Sequence, residues 1–305
     1  MADVATRDQT KGTDASEQIS TSTARRVAFG FLFWISLGWI CLVLLAALAS
    51  SLANWFDFDL PGLKDPNRIN PADRLLPVRH VDAWLGSDAL GRDNLARLVE
   101  GARVSVTISV ITVAVGIVIG GFIGTAVGFY RGTIERLTMG AVNVALSFPS
   151  LVLLLGVVAM VGSSLVTLTV VFSILAIPGY IRFARASTLS LMQQEWVTAS
   201  SVMGATDRRI ITRVLLPNVL VTLITFGLLA LGGVIVAEGT LAFLGFGIPV
   251  PQASWGRMIA DGKPHLNDSL SATLVPATAM FMTILSLNLI GDGLRRRFSV
   301  RDSRI

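Results

Sequence analysis

The side chains that could carry out chemistry are few in this chain. Its two histidines, His80 and His265, lack a matching nucleophile or metal-binding cluster, and its single cysteine, Cys41, excludes an intrachain disulfide and a Cys/His zinc pattern. No G-x-x-x-x-G-K-[ST] segment occurs, so the chain has no phosphate-binding loop with which to hydrolyse ATP. We therefore expect no catalytic residues, no metal site and no cofactor held by this chain.

The elements that position the remaining polar residues must be largely apolar. Of the 305 residues, 52% are hydrophobic and only 15% are charged, a composition too apolar for an ordinary soluble domain. A helix needs roughly 20 apolar residues to cross a bilayer core. The runs that meet this length predict an all-α integral membrane protein with six transmembrane helices, at residues 29–51, 104–129, 137–161, 165–183, 219–243 and 272–294.

The placement of arginine predicts the orientation of these spans. An even number of crossings puts both termini on one side, and the basic residues cluster on that side. They precede the first span, occupy the second and fourth connections, and follow the last span: Arg25, Arg26, Arg131, Arg136, Arg182, Arg185, Arg208, Arg209, Arg213, Arg295, Arg296, Arg297, Arg301 and Arg304. By the positive-inside rule we expect cytoplasmic N and C termini. The basic balance therefore needs no nucleic-acid partner.

The spans divide the chain into five predicted parts. Residues 1–24 are polar and are expected to form a disordered cytoplasmic tail. Residues 25–52 form the first transmembrane helix, and residues 53–102 form an extracytoplasmic loop. Residues 103–294 form a five-helix core that includes a cytoplasmic segment at 187–217, and residues 295–305 are a basic cytoplasmic tail.

A stripe of glycines marks the second predicted span. Gly116, Gly120, Gly124 and Gly128 recur at every fourth position, so they share one face of the helix. Such a face lets another helix backbone approach closely. We expect packing within this chain, and contact with a partner subunit or a moving gate is the alternative.

Polar residues near the outer ends of the spans have structural interpretations. In Gly91-Arg92-Asp93, a local ion pair between arginine and a carboxylate is expected to order the loop, with ligand contact as the alternative. Glu238 follows about 19 helical residues, or roughly 28 Å of rise, which places it at the outer interface in a gating or salt-bridge role. Trp255 is interpreted as an interfacial aromatic anchor.

The segment 187–217 is too polar to cross the membrane and long enough to fold. One helix can run to Met203 and end at Gly204, and Thr206 or Asp207 can cap a second helix. Pro217 restricts Leu216 and is expected to mark the start of the fifth span. The pattern predicts a helix-turn-helix at the cytoplasmic surface. The alternative is a helix pair that only lies on lipid headgroups.

This segment resembles the EAA loop in permease subunits of binding-protein-dependent ABC importers. That loop has a Glu-Ala-Ala start, a glycine four residues after the second alanine, and a hydrophobic-x-Leu-Pro ending. The glycine and the ending match here, whereas Thr198 stands in place of the glutamate and Ser200 in place of the second alanine. The resemblance implies that an ATPase is coupled through Glu195, Thr198, Ala199, Ser200, Gly204, Ala205, Asp207, Arg208, Val214, Leu216 and Pro217.

Two further stretches resemble the dipeptide, oligopeptide and nickel branch of that family, the DppC or OppC type. Residues 85–105 are similar to the signature LGTDxLGRDxLSRxxxGARxSL, and residues 238–258 are similar to ExxLSFLGLG followed by PxPxWGxM. The resemblance implies an outer loop or gate formed by Gly91, Arg92, Asp93, Arg97, Glu238, Phe243, Gly245, Pro249, Pro251, Trp255 and Gly256. It also implies the type I ABC importer permease fold.

The resemblance further implies the partners and the location. A second homologous permease subunit of the DppB or OppB type would complete the pore in the bacterial cytoplasmic (inner) membrane. Two cytoplasmic ATPase subunits would hold ATP and Mg, and an extracytoplasmic substrate-binding protein would deliver dipeptides or oligopeptides. Nickel chelates, opines or glutathione are the alternative substrates. An ion-driven secondary transporter is a rival that the near absence of charge in the spans disfavours, and a membrane scaffold is a second.

Overall fold

The computed structural model describes the backbone of residues 5–56, 58 and 61–302, and the side chains of 30–56, 58 and 61–296. The fold is all-helical. Nine helices occur in the described part of the chain: α1 Ala5–Phe56, α2 Asn94–Tyr130, α3 Gly132–Ser147, α4 Ser150–Val161, α5 Leu165–Leu191, α6 Glu195–Val202, α7 Asp207–Phe243, α8 Trp255–Gly262 and α9 Ser271–Asp302. Single π turns interrupt α2 at Gly116–Gly120 and α7 at Ile210–Leu215.

The predicted set of crossings is confirmed as five long apolar helices and one broken one. Helices α1 (from Gly30), α2, α5, α7 and α9 (to Arg296) are each long and apolar enough to span a membrane. Helices α3 and α4 pass the same test only as a pair, and they are bent by 76° at their junction. The single helix predicted over residues 137–161 is therefore two helices joined at a sharp bend.

The break between α3 and α4 follows from a proline. Phe148, which precedes Pro149, has extended backbone angles of φ −85° and ψ 134°, the region that a following pyrrolidine ring favours. Pro149 also lacks the N–H that would continue the α3 hydrogen-bond ladder. The span was predicted from apolar length alone, and apolar length does not indicate a bend.

The helical backbone of α1 begins at Ala5, well before the first apolar run. Residues 1–4 lie outside the described residues, and so do the side chains of residues 5–29. The expected disorder of residues 1–24 and the basic tail at 295–305 stay predictions.

The core is built around α7. Buried residues from α1, α7, α8 and α9 form one cluster, including Val43, Ile235, Trp255 and Leu287. A second cluster joins α2, α4, α5 and α7. Helix α1 contacts α2 and α9, so it covers one side of this bundle. Side chains on the outer surfaces of these helices are large and apolar, as lipid contact requires.

Candidate functional site

The turn between α6 and α7 begins with a hydrogen-bonded C-cap of α6. Gly204 has a φ of +80°, a left-handed conformation that favours glycine. Its N–H donates to the Ser201 carbonyl at 3.0 Å, and the Ala205 N–H donates to the Ser200 carbonyl at 3.2 Å. These two bonds form the Schellman pattern that ends a helix. The predicted helix end at Gly204 is confirmed, and α6 itself ends at Val202.

One face of this turn is fixed to the membrane helices. Val197 of α6 and Ile210 and Leu215 of α7 are buried together. Phe129, from the end of α2, and Leu191, from the end of α5, pack against them. Helix α6 is therefore in direct packing contact with the ends of two spans.

The opposite face of the turn is open. Trp196 is 40% exposed, Val202 82% and Met203 81%. Most of the predicted coupling residues are also exposed, whereas four are half-buried: Ser200, Ala205, Val214 and Leu216. A Cβ atom added at Gly204 would meet nothing within 4 Å. The surface has room for a partner to approach.

Pro217 was expected to mark the start of the fifth span, and it lies in the first turn of the α-helical stretch Leu216–Phe243, but helical backbone already continues into this stretch from Asp207. Leu216, which precedes the proline, keeps helical angles of φ −56° and ψ −44°. The π turn Ile210–Leu215 lies directly before it, and its wider i→i+5 hydrogen bonds change the ladder where the proline has no N–H to give. The second helix of the segment is thus the first part of the fifth span.

A buried ion-pair cluster orders the first long loop. Arg92 donates from Nε to Asp88 Oδ2 at 2.6 Å, and the Arg97 Nε lies 3.5 Å from the same oxygen. Both arginine side chains are almost completely buried. Asp93 instead caps α2, because its Oδ1 accepts from the Ala96 N–H at 2.9 Å. The expected arginine–carboxylate pair exists, but its carboxylate is Asp88, which the sequence analysis did not single out.

The predicted glycine and proline positions in the loops differ in how closely they are packed. Gly91 has a φ of +74°, and an added Cβ would lie 1.8 Å from the Asn70 carbonyl oxygen, so no side chain fits. Gly245 has a φ of +86° just after α7 ends at Phe243. The Pro251 carbonyl accepts from Arg97 Nη1 at 3.4 Å, which joins the first loop to the segment after α7. Pro249 is exposed.

Glu238 is held by serines. Ser254 donates to Glu238 Oε1 at 2.6 Å, and Ser105 donates to Glu238 Oε2 at 3.4 Å. All three residues are buried, and no Lys or Arg of the described residues forms an ion pair with this carboxylate. The salt-bridge interpretation is therefore wrong. Ser254 also caps α8, so the carboxylate links the start of α8 to α2 and α7.

Trp255 is a core residue, and the interfacial-anchor interpretation is wrong. Its side chain is only 1% exposed, and its Nε1 donates to the Leu98 carbonyl at 3.0 Å. An added Cβ at Gly101 would lie 2.9 Å from the indole ring, so this glycine makes room for it. At Gly256 an added Cβ would lie 2.3 Å from the Gly239 Cα, which shows how closely α8 approaches α7.

The glycine stripe of α2 lies against α5 of the same chain. Added Cβ atoms would clash with Tyr180 at Gly116 and Gly120, with the Ile181 carbonyl at Gly124, and with Thr188 at Gly128. The Ile181 carbonyl oxygen would lie 2.4 Å from the Cβ at Gly124, and the Ile177 carbonyl oxygen 2.9 Å from the Cβ at Gly120. Both are backbone atoms of α5, so relieving these contacts requires the two helices to separate.

A largely apolar cavity of about 390 Å³ opens among four helices. Its walls include Thr112 of α2, Ser150 of α4, Phe172 of α5 and Gly233 of α7. Because α4 belongs to the bent pair, movement of that pair would change the width of this cavity. In the part of the chain that the structure describes, no three His, Cys, Asp or Glu residues are grouped to hold a metal ion.

Together, the long apolar helices and the exposed turn that packs against them define a class of protein: a multi-pass helical membrane protein. Residues 106–301 match the family described as binding-protein-dependent transport system inner membrane component. The chain belongs to this family, which confirms the predicted one. It is a multi-pass permease of the bacterial inner membrane.

Named relatives agree with this assignment. The chain is 33% identical over 252 residues to a glutathione transport system permease protein, GsiD, from Pectobacterium atrosepticum, covering 83% of each chain. It is 36% identical over 273 residues to a putative peptide transport system permease protein from Brucella suis, covering 90% of this chain and 89% of the relative. An inward-facing structure of the MetNI methionine ABC transporter superposes with a TM-score of 0.56 at 21% identity, over 67% of this chain and 96% of that one. The last comparison shows the fold.

Proposed function

We propose that this chain forms half of the translocation pathway of an ATP-driven importer, with residues 187–217 as the docking site for an ATPase subunit. The observation that carries the proposal is the two-sided character of α6. Val197 is fixed to the ends of α2 and α5, while Val202 and Met203 are exposed. A rigid element with one fixed face and one open face can transmit a partner's movement to the spans.

The proposed docking contact depends on shape more than on charge. Thr198 and Ala199 are small and exposed, so a partner's surface can approach the α6 backbone closely. Thr198 supplies no carboxylate where the family's loop has one. Glu195, exposed at the start of α6, and Asp207 and Arg208, exposed at the start of α7, are charged groups that can form ion pairs with the partner.

In the proposed assembly, other subunits supply ATP hydrolysis, the second half of the pathway and substrate delivery. Two cytoplasmic ATPase subunits hold ATP and Mg, and this chain contributes no catalytic residue and no cofactor. A second, homologous permease subunit completes the pathway, and an extracytoplasmic binding protein delivers the substrate. Both termini and the α6 turn are on the cytoplasmic side, since the ATPases must meet that turn.

We propose peptides as the substrate, with glutathione as the alternative within the same chemical class. Relatives named for peptide transport and for glutathione transport support this proposal. Nickel chelates and opines are further alternatives. Mass spectrometry of the ligand that co-purifies with the partner binding protein identifies the substrate, and a ligand without a peptide bond would contradict the proposal.

Substitution of Ala199 by tryptophan tests the docking role. The bulky ring adds volume to the exposed face of α6 without touching the buried face, so we expect the spans to fold normally. In the reconstituted importer, substrate uptake and co-purification of the ATPase subunits should both fall by at least about tenfold, which corresponds to roughly 1.4 kcal/mol of lost contact energy.

Thr133→Trp is the matched control. Thr133 is an exposed residue at the start of α3, on the same side of the membrane but outside the proposed docking segment. This variant should retain both activities. Normal uptake and ATPase binding by Ala199→Trp, or full transport by the chain without any ATPase, would overturn the proposal.

A further inference from the structure

A tight hairpin, residues 76–87, projects from the first long loop. The Ala83 N–H donates to the His80 carbonyl at 3.1 Å, and these two residues are paired as in an antiparallel ladder. Val81 and Asp82, which lie between them, therefore form a two-residue tip. The hairpin is separate from the proposed docking segment, so its role is not explained by the proposed function.

The base of the hairpin is fixed to the first residue of α9. The Leu76 carbonyl accepts from the Ser87 N–H at 3.2 Å and from Ser271 Oγ, at the start of α9, at 3.4 Å. Gly86 has a φ of +76°, and an added Cβ would lie 2.6 Å from both the Leu76 carbonyl oxygen and Ser271 Oγ. Because α9 is long and apolar enough to span the membrane from this end, the hairpin lies at the level of the membrane surface.

An apolar groove of about 390 Å³ begins beside the hairpin. Val78 and Leu85 of the hairpin line one end of it together with Leu274 of α9. The groove follows α9 as far as Ala279 and reaches Trp39 of α1. Leu274 is itself exposed, as are many large apolar side chains along α1. The groove therefore opens on a side of the bundle that faces lipid.

The hairpin exposes large apolar side chains next to this groove. Val81, at the tip, is 99% exposed, and Trp84 is 70% exposed. An exposed tryptophan with apolar neighbours at the end of a transmembrane helix is typical of the membrane–water interface. Arg79 is exposed on the same hairpin and carries the positive charge with which a lipid phosphate can pair.

We propose that the hairpin inserts Val81 and Trp84 into the lipid leaflet on its side of the membrane and so anchors the first long loop there. Lipid fits this surface better than a water-soluble protein does, because the apolar groove continues from the hairpin along α1 and α9. A water-soluble partner would cover the tip without reaching that groove. The inference depends on the membrane-spanning fold and not on the importer function.

Electron paramagnetic resonance of a spin label at Val81→Cys tests the insertion. The full chain, with Cys41 replaced by alanine, is placed in vesicles of phosphatidylethanolamine and phosphatidylglycerol. Oxygen concentrates in lipid and chromium oxalate stays in water, so the ratio of their collision rates with the label reports its surroundings. We expect a ratio several-fold higher than that of Ser201→Cys, on the exposed face of α6, and close to that of Leu45→Cys, on the exposed face of α1.

Trp84→Glu and Trp84→Phe form a matched pair of variants. Trp84 accepts the hairpin hydrogen bond from Arg79 through its backbone carbonyl, and its side chain is exposed, so both variants should fold. With the label at Val81→Cys, the collision ratio should fall several-fold in Trp84→Glu, because lipid excludes a carboxylate, and should persist in Trp84→Phe.

Three results would overturn the proposal. The first is a ratio at Val81→Cys equal to that at Ser201→Cys, as expected for a hairpin that waits in water for a soluble protein. The second is protection of the label from both reagents, as expected for a hairpin buried against protein. The third is an equal ratio in the Trp84→Glu and Trp84→Phe variants.

Discussion

Asp88 is the central carboxylate of the ion-pair cluster in the first long loop. It pairs with two buried arginines, Arg92 and Arg97, and its Oδ1 also accepts from the backbone N–H groups of Leu90 and Arg92. Removing one partner of a buried ion pair leaves the other charges uncompensated and costs about 3–5 kcal/mol. We therefore expect the folded conformation of this loop to depend on Asp88.

Asp88→Asn should lower the free energy of unfolding by about 3 kcal/mol, because two buried guanidinium groups lose their nearest carboxylate and Arg92 keeps, among the described carboxylates, only Asp261, at 4.0 Å. Thermal unfolding in detergent measures this loss as a lower midpoint. Asp268→Asn, at a carboxylate that is 64% exposed, serves as the control and should stay within about 0.5 kcal/mol of the native chain. Equal midpoints for the two variants would contradict the cluster's role.

Glu238 can be tested by separating its hydrogen bonds from its charge. Glu238→Gln keeps an oxygen that accepts from Ser254, so its stability should stay close to that of the native chain. Glu238→Leu leaves the buried hydroxyls of Ser105 and Ser254 without this acceptor, at a cost of about 1–3 kcal/mol. Thermal unfolding of the two variants distinguishes them. A glutamine variant as unstable as the leucine variant would indicate a role for the charge itself.

At the scale of helices, α2 and α5 are the pair that the glycine stripe brings together. Gly124→Ala places a methyl group 2.4 Å from the Ile181 carbonyl oxygen, a backbone atom, so the helices must separate. We expect a loss of about 1–3 kcal/mol in the free energy of unfolding. Gly140→Ala is the control, since an added Cβ there meets nothing within 4 Å and alanine favours the helix. Equal stability of the two variants would argue against close packing.

Helix α3 depends on polar contacts to stay in place, because only Val142 is buried along its length. Arg185 of α5 donates from Nε to Glu135 Oε1 at 2.6 Å, and Arg182 donates to Asn143 Oδ1 at 2.9 Å. Since α5 leads directly into the α6 turn, these arginines connect the docking segment to the bent α3–α4 pair.

The exchanged variant Glu135→Arg with Arg185→Glu tests that connection. Each single substitution should reduce uptake by the reconstituted importer several-fold, and the exchange should restore much of it. A double-mutant cycle built from these uptake rates should give a coupling energy of about 1 kcal/mol between the two side chains, as expected for a half-exposed charge-assisted pair. Additive losses with no rescue would show that the pair does not act as a unit.

Over the whole molecule, the sequence predicted the membrane class, the number of crossings and the helix end at Gly204. These depend on local signals: apolar length, and a glycine where the chain turns. The bend at Pro149 and the unbroken helix at Pro217 show the limit of such signals. Both are prolines beside an apolar run, yet the second is accommodated by a π turn that no residue pattern announces.

In the candidate site, too, the sequence predicted contacts between neighbouring residues better than contacts between residues far apart in the chain. Asp93 was predicted as a partner of Arg92 from adjacency, but the fold uses it as a helix cap and brings Asp88 to both arginines. Trp255 and Glu238 lie in loops or helix ends by sequence, yet contacts with residues more than 100 positions away bury them. Asp88 does lie within residues 85–105, at the aspartate of the LGTD start of the family signature, and this similarity is the sequence signal that could have identified it.

Cysteine labelling at Ser201 tests the central claim, that the α6 turn is the cytoplasmic docking site for an ATPase. Ser201 is exposed on α6, and replacing Cys41 by alanine removes the only native cysteine. In oriented vesicles, Ser201→Cys should react with a membrane-impermeant maleimide only from the cytoplasmic side, and the ATPase subunits should protect it. Reaction from the outer side, or equal reactivity with and without the ATPase subunits, would contradict the account.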